Sequence, residues 1–149
     1  MPDVTWIRGA SDTEIAERVI DPILMAALDR SKWAMLRSEE RAVGVVCLLH
    51  NTACRSGLGS YIAEEPAHVQ DATAGAARDL GLEDIAAGWE LAIRGMDLSA
   101  WRGGIPSEVE WGHAEAREAL EQALVTGAHG DMRTFLANWV RKHADAFAH

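Results

Sequence analysis

The sequence predicts an all-α fold, in a single compact domain of about six or seven helices over residues 1–149. Apolar residues recur at helical spacing, helix-capping pairs and helix-ending glycines punctuate the chain, and strand-like alternation never exceeds four residues. At 149 residues and 48% apolar composition, the chain has the size of one domain. A chain of this size can bury a stable core without a disulfide or a structural metal.

The N-terminal third carries three helix-start signals. Ser11 and Glu14 form a capping box, in which the hydroxyl and the carboxylate satisfy backbone N–H groups at the start of a short amphipathic helix. Asp21 followed by Pro22 predicts the start of a second helix. Ser38 opens a longer helix, whose nearly continuous apolar run places it at the centre of the core.

Glycine and proline divide the middle of the chain. Gly57 and Gly59 interrupt the helical pattern, so we expect a turn over residues 58–61. Pro66 predicts a new helix that ends at Gly81, and residues 82–93 form the next helix.

The C-terminal third begins with a Gly-Gly-Ile-Pro loop at residues 103–106. Ser107 and Glu110 form a second capping box, which predicts a helix that continues to about Thr126. Asp131 is placed to cap a last helix that ends near Ala146.

Three features of the sequence indicate the cellular location. Cys47 and Cys54 are the only cysteines, which is more typical of a reducing compartment than of a disulfide scaffold. The first residues lack the basic and apolar pattern of a signal peptide. The longest apolar stretch, residues 42–53, is shorter than the roughly 20 residues of a bilayer-spanning helix. We therefore expect a cytoplasmic protein with no membrane segment.

The negative charge is confined to one part of the chain. Residues 64–121 contain thirteen acidic and four basic residues, a net charge of −9, whereas residues 1–63 sum to −1 and residues 122–149 to +1. Such a segment repels nucleic acid and favours a basic protein partner. The alternative is that these acids only solvate the surface.

Within this acidic segment, the predicted partner-binding residues are five glutamates and two tryptophans. The glutamates at positions 115, 118 and 121 step by three and form a drifting row on one side of a helix, and two more precede that row. Trp101 and Trp111 flank the glycine-rich loop and are candidate interface anchors, unless both pin the loop to the core. The full set is Trp101, Glu108, Glu110, Trp111, Glu115, Glu118 and Glu121.

Catalytic and metal-binding signals are weak. Cys47, His50 and Cys54 share a helical face at a spacing that zinc accepts, but no fourth ligand is identified and buried cysteines are common in helical cores. His129 near Asp131 resembles an oriented base, although Asp131 also has the capping role. Motifs for a catalytic serine, a metalloprotease, a phosphate loop or a dinucleotide are missing. We predict no metal, no cofactor and no catalytic residues.

Residues 55–62 and the chain that follows resemble the bacterial DNA-mimic-protein-like family, whose members are mostly of unknown function. The family has a Gly-rich motif with a Tyr or Phe, then a Pro-started helix and a Leu-Gly joint. Here Gly57 and Tyr61 match that motif, Pro66 begins the next helix, and Leu80–Gly81 forms the joint. The close of the chain, from Trp139 to Phe147, is also similar. The resemblance implies an all-helical fold and a role in which carboxylates imitate DNA phosphates.

The sequence therefore predicts a non-enzymatic acidic interaction protein, and DNA mimicry towards a basic DNA-binding regulator is the more specific hypothesis. An immunity or antitoxin protein that neutralises a basic toxin is the alternative. A small helical hydrolase is the less favoured third reading, and it requires a cleft in which His50, His113 or His129 meets a carboxylate. We expect no direct nucleic-acid or membrane binding, and a homodimer is kept as an option.

Overall fold

Helices make up the regular structure of the computed structural model, which describes residues 3–103 and 110–148. The all-α prediction is confirmed for these residues, whose only β feature is an isolated bridge between Ala128 and Gly130. The α-helices in chain order are Thr5–Gly9 (α1), Asp12–Ile15 (α2), Asp21–Leu28 (α3), Arg30–Trp33 (α4), Ser38–Ser56 (α5), Leu58–Glu64 (α6), Ala67–Asp71 (α7), Thr73–Asp79 (α8), Glu83–Ala92 (α9), Ala114–Val125 (α10) and Met132–Lys142 (α11).

The prediction of six or seven helices is too low for the described ranges. Several short helices, such as α1 and α4, carry too few turns for a periodic pattern to reveal them. Helices of this length are marginal by themselves and depend on caps and on packing. For α4, the carboxylate of Asp29 accepts hydrogen bonds from the N–H groups of Ser31 and Lys32.

The long helix α5 lies at the centre of the core, as predicted. Val43, Val45, Val46 and Leu49 on this helix are 0% exposed. Around it pack α3, α6, α8, α10 and α11. This burial on several sides explains why the apolar run of α5 is nearly continuous rather than confined to one stripe.

The capping box at Ser11 starts a helix as predicted, with Ser11 Oγ 3.1 Å from the N–H of Glu14. The predicted helix start at Asp21 coincides with the first residue of α3, but Asp21 is not an N-cap, because the helix continues from α2 into α3 through a π-helical stretch at Ala16–Ile20. Pro22 cannot donate a hydrogen bond, and its ring crowds the carbonyl four residues earlier. The wider π-helical turn accommodates it without ending the helix.

The chain after α5 is more helical than predicted. Gly57 ends α5 with a positive φ of 86°, but the residues expected to form a turn belong to α6. The single helix expected from Pro66 to Gly81 is divided into α7 and α8 at Ala72. Its predicted end is confirmed: Gly81 has φ 79°, and the next N–H, from Leu82, donates to the carbonyl of Ala77 at 2.8 Å.

Helices α9 and α10 pack against each other in antiparallel directions. The N–H of His113, which caps α10, donates to the carbonyl of Ala92 at the end of α9. Midway along the pair, Gly88 faces the side chain of Leu120.

The helix expected from Ser107 begins instead at Ala114. Ser107 itself lies outside the described residues. A side chain at Gly112 would clash with the backbone of Arg94, so the chain runs close along the end of α9 before α10 starts. This close approach holds residues 110–113 in a non-helical path.

No helix within residues 3–103 and 110–148 has both the length and the apolar character required to cross a membrane.

Candidate interaction surface

Helix α10 has a buried side and an exposed side, and the exposed side carries two of the predicted glutamates. The core-facing residues Ala116, Leu120 and Leu124 are at most 9% exposed. Glu115 and Glu118 point to solvent. Neither carboxylate makes a hydrogen bond or an ion pair with any residue that the structure describes.

The third glutamate of the row has a different environment. Glu121 is partly buried, and its Oε2 lies 3.2 Å from Nη1 of Arg117, one helical turn earlier. The same carboxylate faces Gly57 at the joint between α5 and α6. Because Arg117 neutralises it, Glu121 contributes little free charge to the row. The i,i+4 spacing of Arg117 and Glu121 is visible in the sequence and is the signal that indicates this pairing.

Of the two glutamates that precede the row, the structure describes Glu110. Glu110 is exposed and lies before α10, outside the helix. Glu108 lies outside the described residues, so its prediction is not addressed.

The two candidate anchors, Trp101 and Trp111, are partly buried. Trp101 ends a short 3₁₀ helix at Leu98–Trp101, and Trp111 lies in the segment before α10. Both rings pack against the hydrophobic core. Only the remaining exposed edge of each ring is accessible to a partner, and the anchor role stays a prediction.

Arg78 on α8 pairs with two acids of α9. Its Nε lies 3.1 Å from the carboxylate of Glu83, and its Nη2 pairs with Glu90. Hydrogen bonds from Arg78 lower the pKa of Glu90. These two acids are therefore used within the molecule.

Other acids of the segment are also engaged. Asp84 lies 2.7 Å from Nε2 of His129, and Glu64 lies 3.7 Å from Arg55. Asp97 caps the 3₁₀ helix by accepting from the N–H of Ser99.

Two more acids of the segment, Asp71 and Asp79, are exposed. Neither makes an ion pair or hydrogen bond within the described ranges. They lie on α7 and α8, away from α10 along the chain, and they provide a matched control for charge effects.

One acid of the segment is buried. Glu65 is 8% exposed, and Thr52 donates a hydrogen bond of 3.4 Å to its Oε1. Burial raises the pKa of this carboxyl, and the neighbouring charge of Glu64 adds to the increase, whereas Thr52 opposes it. Glu65 therefore belongs to the interior and is not accessible to a partner.

The three histidines considered from the sequence lie in different surroundings, and His50 lines a cavity together with acidic side chains. His113 caps α10 through its Nδ1, which accepts from the N–H of Ala116. His129 contacts Asp84 rather than Asp131, and Asp131 caps α11 by accepting from the N–H of Arg133.

The cysteine–histidine face of α5 places Nε2 of His50 3.4 Å from Sγ of Cys54. Burial raises the pKa of the Cys47 thiol to about 11, so this thiol stays protonated at neutral pH. Among the described residues, no group of three or more histidine, cysteine or acidic side chains has the geometry of a metal site.

A comparison of the chain with models of protein families, with curated proteins and with solved structures finds no match. The resemblance to the DNA-mimic-protein-like family therefore stays a prediction.

Proposed function

We propose that this chain is a non-enzymatic acidic binding protein that holds a basic protein partner against the outer side of α10. The observation that carries the proposal is the exposure of Glu115 and Glu118, which have no intramolecular partner in the described ranges. Carboxylates that are already paired, such as Glu83 and Glu121, offer less to an incoming cation.

The geometry of α10 favours recognition of a basic side chain rather than of a metal. The two glutamates are three residues apart, which corresponds to about 4.5 Å along a helix axis at 1.5 Å per residue. Lysine or arginine side chains can bridge such a pair and form charge-assisted hydrogen bonds. Glu110 adds negative charge near the start of the same helix.

A DNA-binding regulator in the cytoplasm is the partner that we favour. A protein that binds DNA has a basic surface because it must neutralise phosphates. The resemblance to the DNA-mimic-protein-like family points to the same class of partner.

Affinity capture from a lysate of the source organism tests this proposal. At low salt, we expect the wild-type chain to retain a basic protein. Under the same conditions, the double variant E115Q/E118Q should not retain it. The variant D71N/D79N removes the same amount of charge from α7 and α8, so it should retain the partner. Equal capture by all three proteins would contradict the assignment of the surface to α10.

Competition with DNA then identifies the class of partner. If the captured protein is a DNA-binding regulator, duplex DNA and this chain should compete for it. A captured protein that binds both at once would overturn DNA mimicry. If the same glutamates capture a toxin, the toxin replaces the regulator as the proposed partner. The assignment of the binding surface to α10 then stands.

A further inference from the structure

A cavity of about 540 Å³ lies between the π-helical stretch with α3, the helix α5, and the start of α11. The residues that line it do not belong to the proposed interaction surface. The cavity volume falls in the range of about 300–1,000 Å³ that is usual for small-molecule sites. The floor is apolar: Ile20, Met132 and Leu136 line it and are at most 4% exposed. An occupant therefore gains free energy by placing an apolar body in this cavity.

The rim of the cavity is predominantly acidic. Glu17, Asp21 and Asp131 line it together with a single basic residue, Arg133. Within the described residues, Glu17 and Asp21 make no hydrogen bond or ion pair, whereas Asp131 is used to cap α11. Two unpaired carboxylates therefore stand at the mouth of an apolar cavity.

The remaining lining fits binding better than nucleophilic chemistry. Cys47 presents a protonated thiol, because burial raises its pKa and the charge of Asp21 adds to this effect. His50 and Asn51 add polar groups that can donate or accept hydrogen bonds. The π-helical stretch Ala16–Ile20 forms one wall. Such stretches occur frequently at functional sites because they reposition side chains along a helix.

We propose that this cavity binds a small organic amine, with its apolar body on the floor formed by Ile20, Met132 and Leu136 and its ammonium group between Glu17 and Asp21. A bare inorganic cation is a poor occupant because it would leave the apolar floor uncovered. The acidic rim opposes a carboxylate-bearing ligand. A lysine side chain of a partner protein offers only a narrow apolar stem, which would cover less of the floor than a ring system does.

Isothermal titration calorimetry with three matched indoles tests the proposal. Tryptamine carries an amine, tryptophol carries a neutral hydroxyl, and indole-3-propionate carries a carboxylate, while all three share the same ring system. We expect measurable binding of tryptamine, binding of tryptophol that is weaker by about tenfold, and no binding of the carboxylate. Equal binding of tryptamine and tryptophol, or no binding of tryptamine at millimolar concentration, would overturn the proposal.

Two double variants assign the binding to this cavity. E17Q/D21N should weaken tryptamine binding by about tenfold, whereas E115Q/E118Q, with the same change in net charge, should leave it unchanged. Both pairs are exposed, and thermal melting of each free variant checks its fold. Backbone amide shifts on α3, α5 and α11 on addition of tryptamine locate the ligand independently of the variants. Shifts confined to α9 and α10 would also refute the proposal, without bearing on the partner surface.

Discussion

At the scale of single residues, the surroundings of each carboxylate determine what it can do. Glu118 points to solvent without a partner, whereas Glu121, three residues later on the same helix, is paired with Arg117. Glu65 is withdrawn into the interior beside Thr52. The three residues have the same chemistry, yet only the first has its charge available for another molecule.

The buried Glu65 gives a pH-dependent prediction. Burial raises the pKa of this carboxyl in the folded state above its ordinary value of 4.5. Protonation therefore favours the folded state, and this stabilisation is present at low pH and lost as the pH rises through the folded-state pKa. The variant E65Q stays uncharged, so its stability relative to wild type should increase between pH 4 and pH 7.

Urea unfolding of wild type and E65Q at several pH values measures this effect. If the free energies of unfolding of wild type and E65Q differ by the same amount at every pH, burial does not raise the pKa of Glu65.

The close contact at Gly112 gives a second prediction at this scale. A methyl group at this position would overlap the backbone of Arg94, which cannot move without disturbing the end of α9. We expect G112A to lower the free energy of unfolding by about 1–3 kcal/mol, as is typical of overpacking.

Gly9 provides the matched control, because a Cβ there meets no atom within 4 Å. Chemical denaturation should show little change for G9A. Similar stabilities for G112A and G9A would contradict the close contact between Gly112 and the backbone of Arg94.

At the scale of secondary-structure elements, local signals predicted some boundaries and missed others. Ser11, Gly81 and Asp131 act through hydrogen bonds within a few residues, so the sequence alone was sufficient to identify them. The start of α10 depends on the contact between Gly112 and Arg94, which are distant in sequence. Long-range contacts of this kind leave no periodic pattern.

The same distinction applies to the candidate surface and to the cavity. The helical row that contains Glu115 and Glu118 was predictable because it needs only the period of one helix. The proposed amine site was not predictable, since Glu17, Asp21 and Met132 line one cavity only after three parts of the chain have packed together.

Gly75 inside α8 and Gly81 just after its end test how backbone conformation affects the stability of this helix. Gly81 has a positive φ of 79° with open space around it, so G81A should cost about 1 kcal/mol through backbone strain alone. Gly75 lies inside α8, also with open space, and G75A should gain about 0.5–1 kcal/mol through helix propensity. Thermal or urea unfolding measures both, and changes of the same sign would contradict this interpretation of the helix end.

At the scale of the whole molecule, the net charge of −9 overstates what a partner can use. Arg78 binds two acids of the central segment, and one further acid is buried at Glu65. The free charge that can contact a partner on α10 comes from Glu115 and Glu118. Under the proposed function, the bulk charge steers a basic partner towards the molecule, and the few unpaired carboxylates hold it.

The dissociation constant of the captured partner, measured at low and high salt, tests this assignment most directly. We predict that E115Q/E118Q weakens binding about tenfold at low salt. The difference in dissociation constant between this variant and wild type should become smaller at high salt, because salt screens exposed ion pairs. D71N/D79N removes equal charge from α7 and α8, and we predict nearly unchanged affinity for it. An E115Q/E118Q variant that binds as tightly as wild type, or equal losses in both variants, would contradict the placement of the partner on α10.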